Sequence, residues 1–323
     1  MNKRITAAGR LSQSSLSQSA FKQSAQPAAI FVWQYSDQYA EQCRGTNNTV
    51  KRRSWAKLSN APARAEGLRR GSVSLDCPWR QAPVRSMTMI RKARRGGLNL
   101  IFDADDTLWD SNIHFLEAEA TFLEILRPCG VRLLEIRAAI RRHELDLIAE
   151  MGYGRRPYVL ALHRVVRELL PAHHHGALAI EVERIGTKLL GRYCELLPGV
   201  QSTLRELSRR HCLLLFTKGQ PAEQMAKLER AGLRSLFSRV GIPLEKDATA
   251  YALLLAQAEL DPARTFMIGN SPRSDINPAL RAGLRGAVFI PHPHTWELEC
   301  EEIEPAEERV VTLTTFSNLL ELF

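Results

Sequence analysis

The sequence predicts an α/β fold: a doubly wound parallel sheet with an inserted all-helical segment and a disordered N-terminal leader. Three observations support this prediction. Short apolar runs alternate with helical periodicity after residue 97, residues 111–196 show helical periodicity only, and residues 1–88 show no sustained period.

Composition is that of a globular protein, because 45% of the 323 residues are apolar and 24% are charged. No apolar run approaches the ~20 residues of a membrane-spanning helix, so we expect no membrane insertion. The six cysteines are scattered without a C-x-x-C pair, which argues against a zinc site or a disulfide framework. This cysteine pattern fits a reducing compartment, and we expect a cytoplasmic location.

Residues 1–88 form the predicted leader, which is basic and rich in Ser and Gln. Residues 1–97 contain 18 Lys and Arg against 4 Asp and Glu, whereas residues 98–323 contain 26 against 31. The leader is interpreted either as an extension upstream of a start at Met87 or Met89, or as a disordered tail. An organelle transit peptide and a nucleic-acid-binding arm remain open. Ala29–Tyr35 is the one segment in it that resembles a strand.

Five apolar runs of about five residues predict buried strands of the core, which is assigned to residues 89–110 and 197–323. They lack polar alternation, as expected of strands covered on both faces. The predicted strands are Leu98–Asp103, Cys212–Phe216, Arg239–Ile242, Thr265–Ile268 and Gly286–Ile290. The helices between them are predicted at Pro221–Ala231, Ala248–Leu260 and Ser274–Ala282, followed by a late strand at Val310–Leu313 and a closing helix at Phe316–Phe323. Such repetition implies right-handed crossovers and a parallel sheet.

Residues 111–196 are predicted to be an inserted helical segment. Leu162, Val165 and Leu169 recur at helical spacing. Three further residues repeat this spacing at Leu133, Ile136 and Ile140. Pro198-Gly199 marks the return to the core.

Polar residues follow four of the predicted strands, where the carboxyl ends of a parallel sheet bind ligands. They are Asp103 and Asp105, then Thr217 and Lys218, then Lys246, then Asn270 and Asp275. Clustered carboxylates are tolerable around a divalent cation, and Mg²⁺ prefers oxygen ligands. Asp103, the backbone carbonyl of Asp105, Asn270 and Asp275 would hold the ion. Lys246 and Thr217 would hold an anionic group such as phosphate.

Four motifs carry a family resemblance: DADDT at 103–107, LLLFT ending in Thr217, Lys246, and GNSPRSD at 269–275. On these, residues from Ile90 to Phe323 resemble the haloacid dehalogenase-like (HAD) hydrolase superfamily, whose core is Rossmann-like. The insertion resembles the helical first-site cap of the phosphoglycolate-phosphatase-like subgroup. The sequence departs from the family pattern at Asn270, where Asp is usual, at Lys218, where Asn is frequent, and at Asp106, where Gly is frequent.

The resemblance implies a Mg²⁺-dependent hydrolase that removes phosphate from a small phosphorylated metabolite through an aspartyl phosphate on Asp103. Asp105 would act as general acid and base, and Thr217, Lys218 and Lys246 would bind phosphate. The metal would be held by Asp103, Asp105, Asn270 and Asp275. The alternatives are a phosphomutase, a haloacid dehalogenase, or a non-catalytic protein whose leader binds nucleic acid or an anionic surface. Nucleic acid is not the expected partner, and a homodimer is left open.

Other polar residues receive structural interpretations. His173, His174 and His175 are expected in a solvated loop, and His292 and His294 in a turn. Arg155 and Arg156 are expected on a wet surface, with a contact to an anionic substrate as the alternative. Asp247 and Asp261 are expected to cap helices. Asp106 and Asp110 are expected to form local hydrogen bonds or lie in a loop.

Overall fold

The computed structural model describes residues 34–35, 97–304 and 307–323. Within these ranges, no helix is both long and apolar enough to cross a membrane. Predictions for the leader fall outside the described residues, except at Gln34–Tyr35. These two residues form a short strand, β1, at the end of the segment that resembled a strand in the sequence.

The described strands form one sheet of seven, and the predicted doubly wound α/β fold is confirmed. The strands after β1 are β2 (Asn99–Phe102), β3 (Cys212–Phe216), β4 (Arg239–Gly241), β5 (Thr265–Gly269), β6 (Gly286–Phe289) and β7 (Val310–Thr312). Their order is β1-β4-β3-β2-β5-β6-β7, with β1 antiparallel to β4 and the other neighbours parallel. The chain order reverses at β2, which lies between β3 and β5, so ligands are expected at the carboxyl end of β2.

Both faces of the sheet are covered, which explains the uninterrupted apolar runs. Leu100 and Phe102 of β2 belong to one hydrophobic cluster and Ile101 to another on the opposite face. Side chains of a strand alternate between faces, so a strand buried on both sides cannot show polar alternation.

Nine α-helices are present in the described part of the chain. They are α1 (Asn112–Leu126), α2 (Leu133–Met151), α3 (Arg155–Leu169), α4 (Ala172–Gly191), α5 (Val200–Ser208), α6 (Pro221–Arg230), α7 (Ala248–Gln257), α8 (Asn277–Arg281) and α9 (Leu319–Leu322). Residues from α1 to α4 form a third hydrophobic cluster of their own. The division into cap and core remains a prediction, and we refer to residues 111–196 as the helical insertion.

Two local predictions differ from the structure. The helix predicted at Ser274–Ala282 is present as α8 over Asn277–Arg281, but the residues before it form a π-helical turn at Pro272–Ile276. His173, His174 and His175 lie in the first turn of α4 rather than in a loop. Three adjacent histidines cannot share one helix face, but a first helical turn at the surface does not require them to do so.

The two predicted caps are confirmed by their hydrogen bonds. The Asp247 carboxylate accepts from the backbone N–H of Ala250 at 2.7 Å and begins α7. The Asp261 carboxylate accepts from the N–H of Ala263 at 2.9 Å and begins a 3₁₀ turn. Such side chains satisfy backbone donors that a helix start leaves unpaired.

Candidate active site

Four separate strand ends bring Asp103, Thr217, Lys246 and Asp275 to one cleft, where all four side chains are buried. The Lys246 Nζ lies 2.5 Å from Asp103 Oδ1 and also contacts Asp275 Oδ1. The same ammonium donates to the backbone carbonyl of Phe216 at 3.3 Å. The structure therefore joins residues that are 29 to 172 positions apart in the chain into one charged cluster.

The two carboxylates of this cluster outnumber the one ammonium group. Burial raises the pKa of Asp103, and the Lys246 charge opposes that effect only in part. Burial also raises the pKa of Asp275 to about 7 against the same opposing charge. Burial alone would lower the pKa of Lys246, but the two carboxylates raise it overall. Two buried carboxylates next to one ammonium group leave an excess of negative charge, which favours binding of a metal cation between them.

The oxygen donors next to this pair fit a hard divalent cation. The Thr107 hydroxyl lies 3.1 Å from Asp103 Oδ2 and 3.0 Å from Asn270 Oδ1, so these two oxygens share one neighbour. The Asn270 amide nitrogen donates to Thr295 Oγ1 at 2.9 Å, which directs the amide oxygen towards Asp103. An amide oxygen can replace a carboxylate as a ligand at the loss of one negative charge. Asn270 therefore preserves an oxygen donor where the family usually has Asp.

Gly269 explains how Asp275 approaches β5 so closely. A Cβ added at Gly269 would overlap the Asp275 carboxylate. The backbone N–H of Ser271 donates to Asp275 Oδ2 at 2.9 Å, which fixes the carboxylate above the end of the strand. The π-helical turn that carries Asp275 thus depends on the missing side chain at Gly269.

The Asp105 carboxylate points to a different set of partners. Its Oδ1 accepts from Trp109 Nε1 at 2.6 Å and from Lys227 Nζ at 2.9 Å, and its Oδ2 accepts from Gln224 at 2.7 Å. Burial tends to raise the pKa of Asp105, but the Lys227 charge and these hydrogen bonds lower it to about 2. Its carboxylate is thus engaged by α6, and only its backbone carbonyl is left as a predicted metal ligand.

Lys227 and Gln224 were missed in the sequence. Together with Glu223 and with Gln220, which immediately precedes α6, they place polar groups at intervals of three and four, and all four line the cleft. That spacing, which puts polar side chains on one side of the helix that follows Thr217 and Lys218, was a usable signal.

Lys218 also reaches the cleft, but its charge already has a partner. The Lys218 Nζ donates to Glu299 Oε1 at 2.6 Å and to Ser274 Oγ at 3.0 Å, and it lies 4.2 Å from the centre of the Tyr153 ring. Burial would raise the pKa of Glu299, but Lys218 and the hydroxyls of Ser271 and Ser274 hold it at about 2. Glu299 was not anticipated because it lies outside the four motifs, in a 3₁₀ turn at Glu297–Glu299.

The helical insertion supplies one wall of the cleft. Its contribution is mainly apolar and aromatic, in contrast to the charged strand ends. The lining residues of the insertion include Phe115, Ile148, Tyr153, Pro157 and Tyr158. The space between the lining residues is about 970 Å³, a volume that includes space open to solvent.

The prediction that Arg155 lies on a solvated surface is wrong. Its side chain is buried and donates to the backbone carbonyls of Leu189 at 3.1 Å and Arg192 at 2.9 Å. Its Nε lies 3.1 Å from Glu223 of α6, so the guanidinium links the insertion to α6, and Arg155 is not among the residues that line the cleft. Arg156 is exposed, as predicted.

Asp106 forms the predicted local hydrogen bonds. Its Oδ1 accepts from the backbone N–H groups of Ser111 at 2.9 Å and Asn112 at 3.0 Å. Burial is the main cause that raises the pKa of Asp106 to about 7.

His292 and His294 were expected merely to form a turn. The structure brings both of them near Asp110, whose carboxylate lies 2.9 Å from His292 Nε2.

The doubly wound sheet and the acidic cluster at its switch point define the protein as an α/β enzyme with a charged, ligand-binding cleft. The haloacid dehalogenase-like hydrolase family model matches residues 99–283. The chain belongs to this family and is a hydrolase, as the four motifs indicated.

Two known proteins illustrate the similarity. A phosphoglycolate phosphatase of Synechococcus elongatus is 37% identical over 93 residues, which are 28% of this chain and 43% of that protein. The matched region thus spans less than half of that relative. The crystal structure of a haloacid dehalogenase-like family hydrolase from Xanthomonas campestris is 26% identical, covering 71% of this chain and 96% of that one, with a TM-score of 0.58.

Proposed function

We propose that this hydrolase is a Mg²⁺-dependent phosphomonoester hydrolase that acts on a small phosphorylated metabolite. The observation that carries the proposal is the position of Asp103 at the switch point of the sheet. One of its carboxylate oxygens contacts Lys246 and the other contacts Thr107, inside a cleft shared with Thr217 and Asp275.

The donor set favours Mg²⁺ because it consists of oxygens. Asp103, Asp275, Asn270 and the backbone carbonyl of Asp105 are the residues that would hold the ion. When bound, the ion would offset the negative charge of the phosphoryl oxygens and of the two buried carboxylates.

Asp103 is the proposed nucleophile. One of its carboxylate oxygens bonds to phosphorus as the phosphorus–oxygen bond to the leaving alcohol breaks, which leaves an aspartyl phosphate. Lys246 and the Thr217 hydroxyl stabilise the phosphoryl oxygens, on which charge accumulates. Water then attacks phosphorus and releases inorganic phosphate and the free Asp103 carboxylate.

Asp105 is the proposed general acid and base. It donates a proton to the departing alkoxide and later accepts one from the attacking water. The low pKa of Asp105 favours its base form in the free protein. An incoming phosphate dianion would raise that pKa, because a nearby negative charge favours the protonated carboxyl. Expulsion of a halide needs no such acid, so a positioned acid at residue 105 favours a phosphatase over a dehalogenase.

The insertion wall favours a small substrate with an apolar or hydroxylated leaving group. Phe115, Tyr153 and Tyr158 line the same cleft as the charged strand ends. Phosphoglycolate, whose leaving group carries a carboxylate, is the contrasting substrate to test beside these, given the relative from Synechococcus elongatus.

The test is phosphate release from a panel of phosphomonoesters by the full chain, with and without Mg²⁺. We expect Asp103→Asn to lose at least about 10³-fold in kcat, because it removes the nucleophile without changing volume. The matched control is Asp146→Asn, an equal charge change at an exposed residue of α2.

Turnover by Asp103→Asn at the rate of the control would disprove the nucleophile assignment. Activity that survives complete chelation of divalent cations would disprove the Mg²⁺ dependence but leave Asp103 as nucleophile. The variant and the chelation experiment therefore test the nucleophile and the Mg²⁺ dependence separately.

A further inference from the structure

Three side chains with metal-ligand chemistry lie together outside the proposed catalytic cluster. They are Asp110, from the loop after β2, and His292 and His294, from the loop after β6. One ligand atom from each lies within 4.8 Å of the other two. We propose that these three residues bind a divalent transition metal such as Zn²⁺.

The distances suit a single small ion. His292 Nε2 lies 2.9 Å and His294 Nδ1 lies 3.9 Å from Asp110 Oδ1. Zinc bonds of about 2.0–2.2 Å in tetrahedral geometry place neighbouring ligand atoms roughly 3.3 Å apart. The observed spacings lie on either side of that value, so binding requires a shift of about 1 Å or less between ligand atoms, together with loss of the contact from the His294 N–H to His292 Nδ1.

The donor types select the metal. Two imidazoles and one carboxylate suit Zn²⁺, Co²⁺ or Ni²⁺, whereas Mg²⁺ prefers oxygen ligands. The cysteine pattern had argued against zinc, but the donors here are histidines separated by one proline. Within the described residues, His294 Nδ1 is enclosed and makes no hydrogen bond, and a metal would give this nitrogen a partner.

Metal binding also has a consistent proton balance. His292 Nδ1 accepts from the backbone N–H of His294 at 3.2 Å, so the neutral ring carries its proton on Nε2, facing Asp110. The metal replaces that proton, and the ring takes up a proton on Nδ1 instead. Nδ1 then faces Asp106 Oδ1, 3.8 Å away. A carboxylate behind a metal-bound histidine is a recurrent arrangement that orients the ring.

The site connects two parts of the chain that border the cleft. The carbonyl oxygen of His294 accepts from the Asn112 side chain at 2.7 Å, where the helical insertion begins. The next residue, Thr295, accepts from Asn270 at 2.9 Å. The backbone contact to His292 Nδ1 must open on binding, so the metal holds this loop against Asp110 in an altered position.

The test uses the full chain stripped of metals and titrated with Co²⁺ in excess Mg²⁺, which occupies the oxygen-rich site. We expect one Co²⁺ per chain with visible absorption bands of a low-symmetry nitrogen–oxygen site, displaced by Zn²⁺. His294→Gln and Asp110→Asn should each weaken Co²⁺ binding at least about tenfold and reduce the bands. The control is the double variant His173→Gln and His174→Gln, which removes two imidazoles at the start of α4.

Unchanged Co²⁺ affinity and absorption in both ligand variants would overturn the proposal, and so would loss of binding in the control. If His294→Gln fails to fold by circular dichroism, Asp110→Asn decides the outcome, because its side chain is 38% exposed and keeps its shape. The measurement needs no substrate, so its result is independent of the proposed phosphatase activity.

Discussion

The pKa of Asp105 is determined by the hydrogen-bond donors and the charge next to its carboxylate. A buried aspartate would ordinarily have a raised pKa, yet three donors to its two oxygens reverse that direction. Lys227 provides the charge among these donors and is itself held by Asp105 and Glu223. In the proposed mechanism, a lysine on α6 therefore controls the proton that Asp105 donates to the leaving group.

Replacing Lys227 with Met should move the pH dependence of hydrolysis. The pKa of Asp105 rises when the ammonium is removed, so Asp105 stays protonated to higher pH. The basic limb of kcat, which reports pKa values in the enzyme–substrate complex, should then shift upward by about one pH unit. Lys227→Arg keeps the charge and should retain the wild-type limb. A limb that stays at its wild-type pH in Lys227→Met would show that Lys227 does not set the protonation of Asp105.

The turn between β5 and α8 shows how an element can depend on a side chain that is absent. The carboxylate of Asp275 lies where a Cβ on Gly269 would be, and Lys246 holds it from the other side. In this turn the helix is of the π type, which the apolar periodicity of the sequence did not predict. The hydrogen bonds of Asp275 to Ser271, rather than the local sequence period, determine the path of the backbone.

Gly269→Ala should destabilise the fold by about 1–3 kcal/mol, because the new methyl group displaces the Asp275 carboxylate. Urea denaturation of the two proteins would measure the difference. The control is Gly176→Ala in α4, where a Cβ meets nothing within 4 Å. In that helix interior, alanine should raise stability by roughly 0.5–1 kcal/mol. Equal stability changes in the two variants would contradict the proposed close contact.

Arg155 links the helical insertion to α6, and its loss should be costly. Arg155→Met leaves Glu223 with only the more distant Lys227 as a cationic partner, at 3.6 Å, and removes the donor to several backbone carbonyls, so we expect about 3 kcal/mol of destabilisation. The exposed neighbour Arg156→Met should change stability by less than about 0.5 kcal/mol. Chemical denaturation provides the comparison. Similar small effects in both variants would mean that solvent replaces the contacts of Arg155.

At the scale of the whole molecule, the charge is divided along the chain. The basic excess lies before residue 98, whereas residues 98–323 contain more Asp and Glu than Lys and Arg. The cleft and its surroundings are built from residues 103–299. No residue of the basic leader therefore takes part in the proposed chemistry.

A protein that begins at Met87 should retain kcat/KM within about twofold of the full chain, because every residue lining the cleft is kept. Steady-state hydrolysis of one phosphomonoester by both proteins would test this expectation. A loss greater than tenfold would assign the preceding residues, which include β1, a part in holding the site together.

The sequence by itself determined the doubly wound α/β sheet, the helical insertion and the motif residues at four strand ends. It could do so because burial on both faces leaves continuous apolar runs, and because parallel strands deliver their carboxyl ends to one edge. Only the tertiary structure decided the partners of those residues. Lys227 beside Asp105, Glu299 beside Lys218, the buried Arg155 and the group of Asp110, His292 and His294 all join segments distant in the chain. Such contacts depend on how helices and loops pack on the sheet, and a local periodic pattern carries no information about that packing.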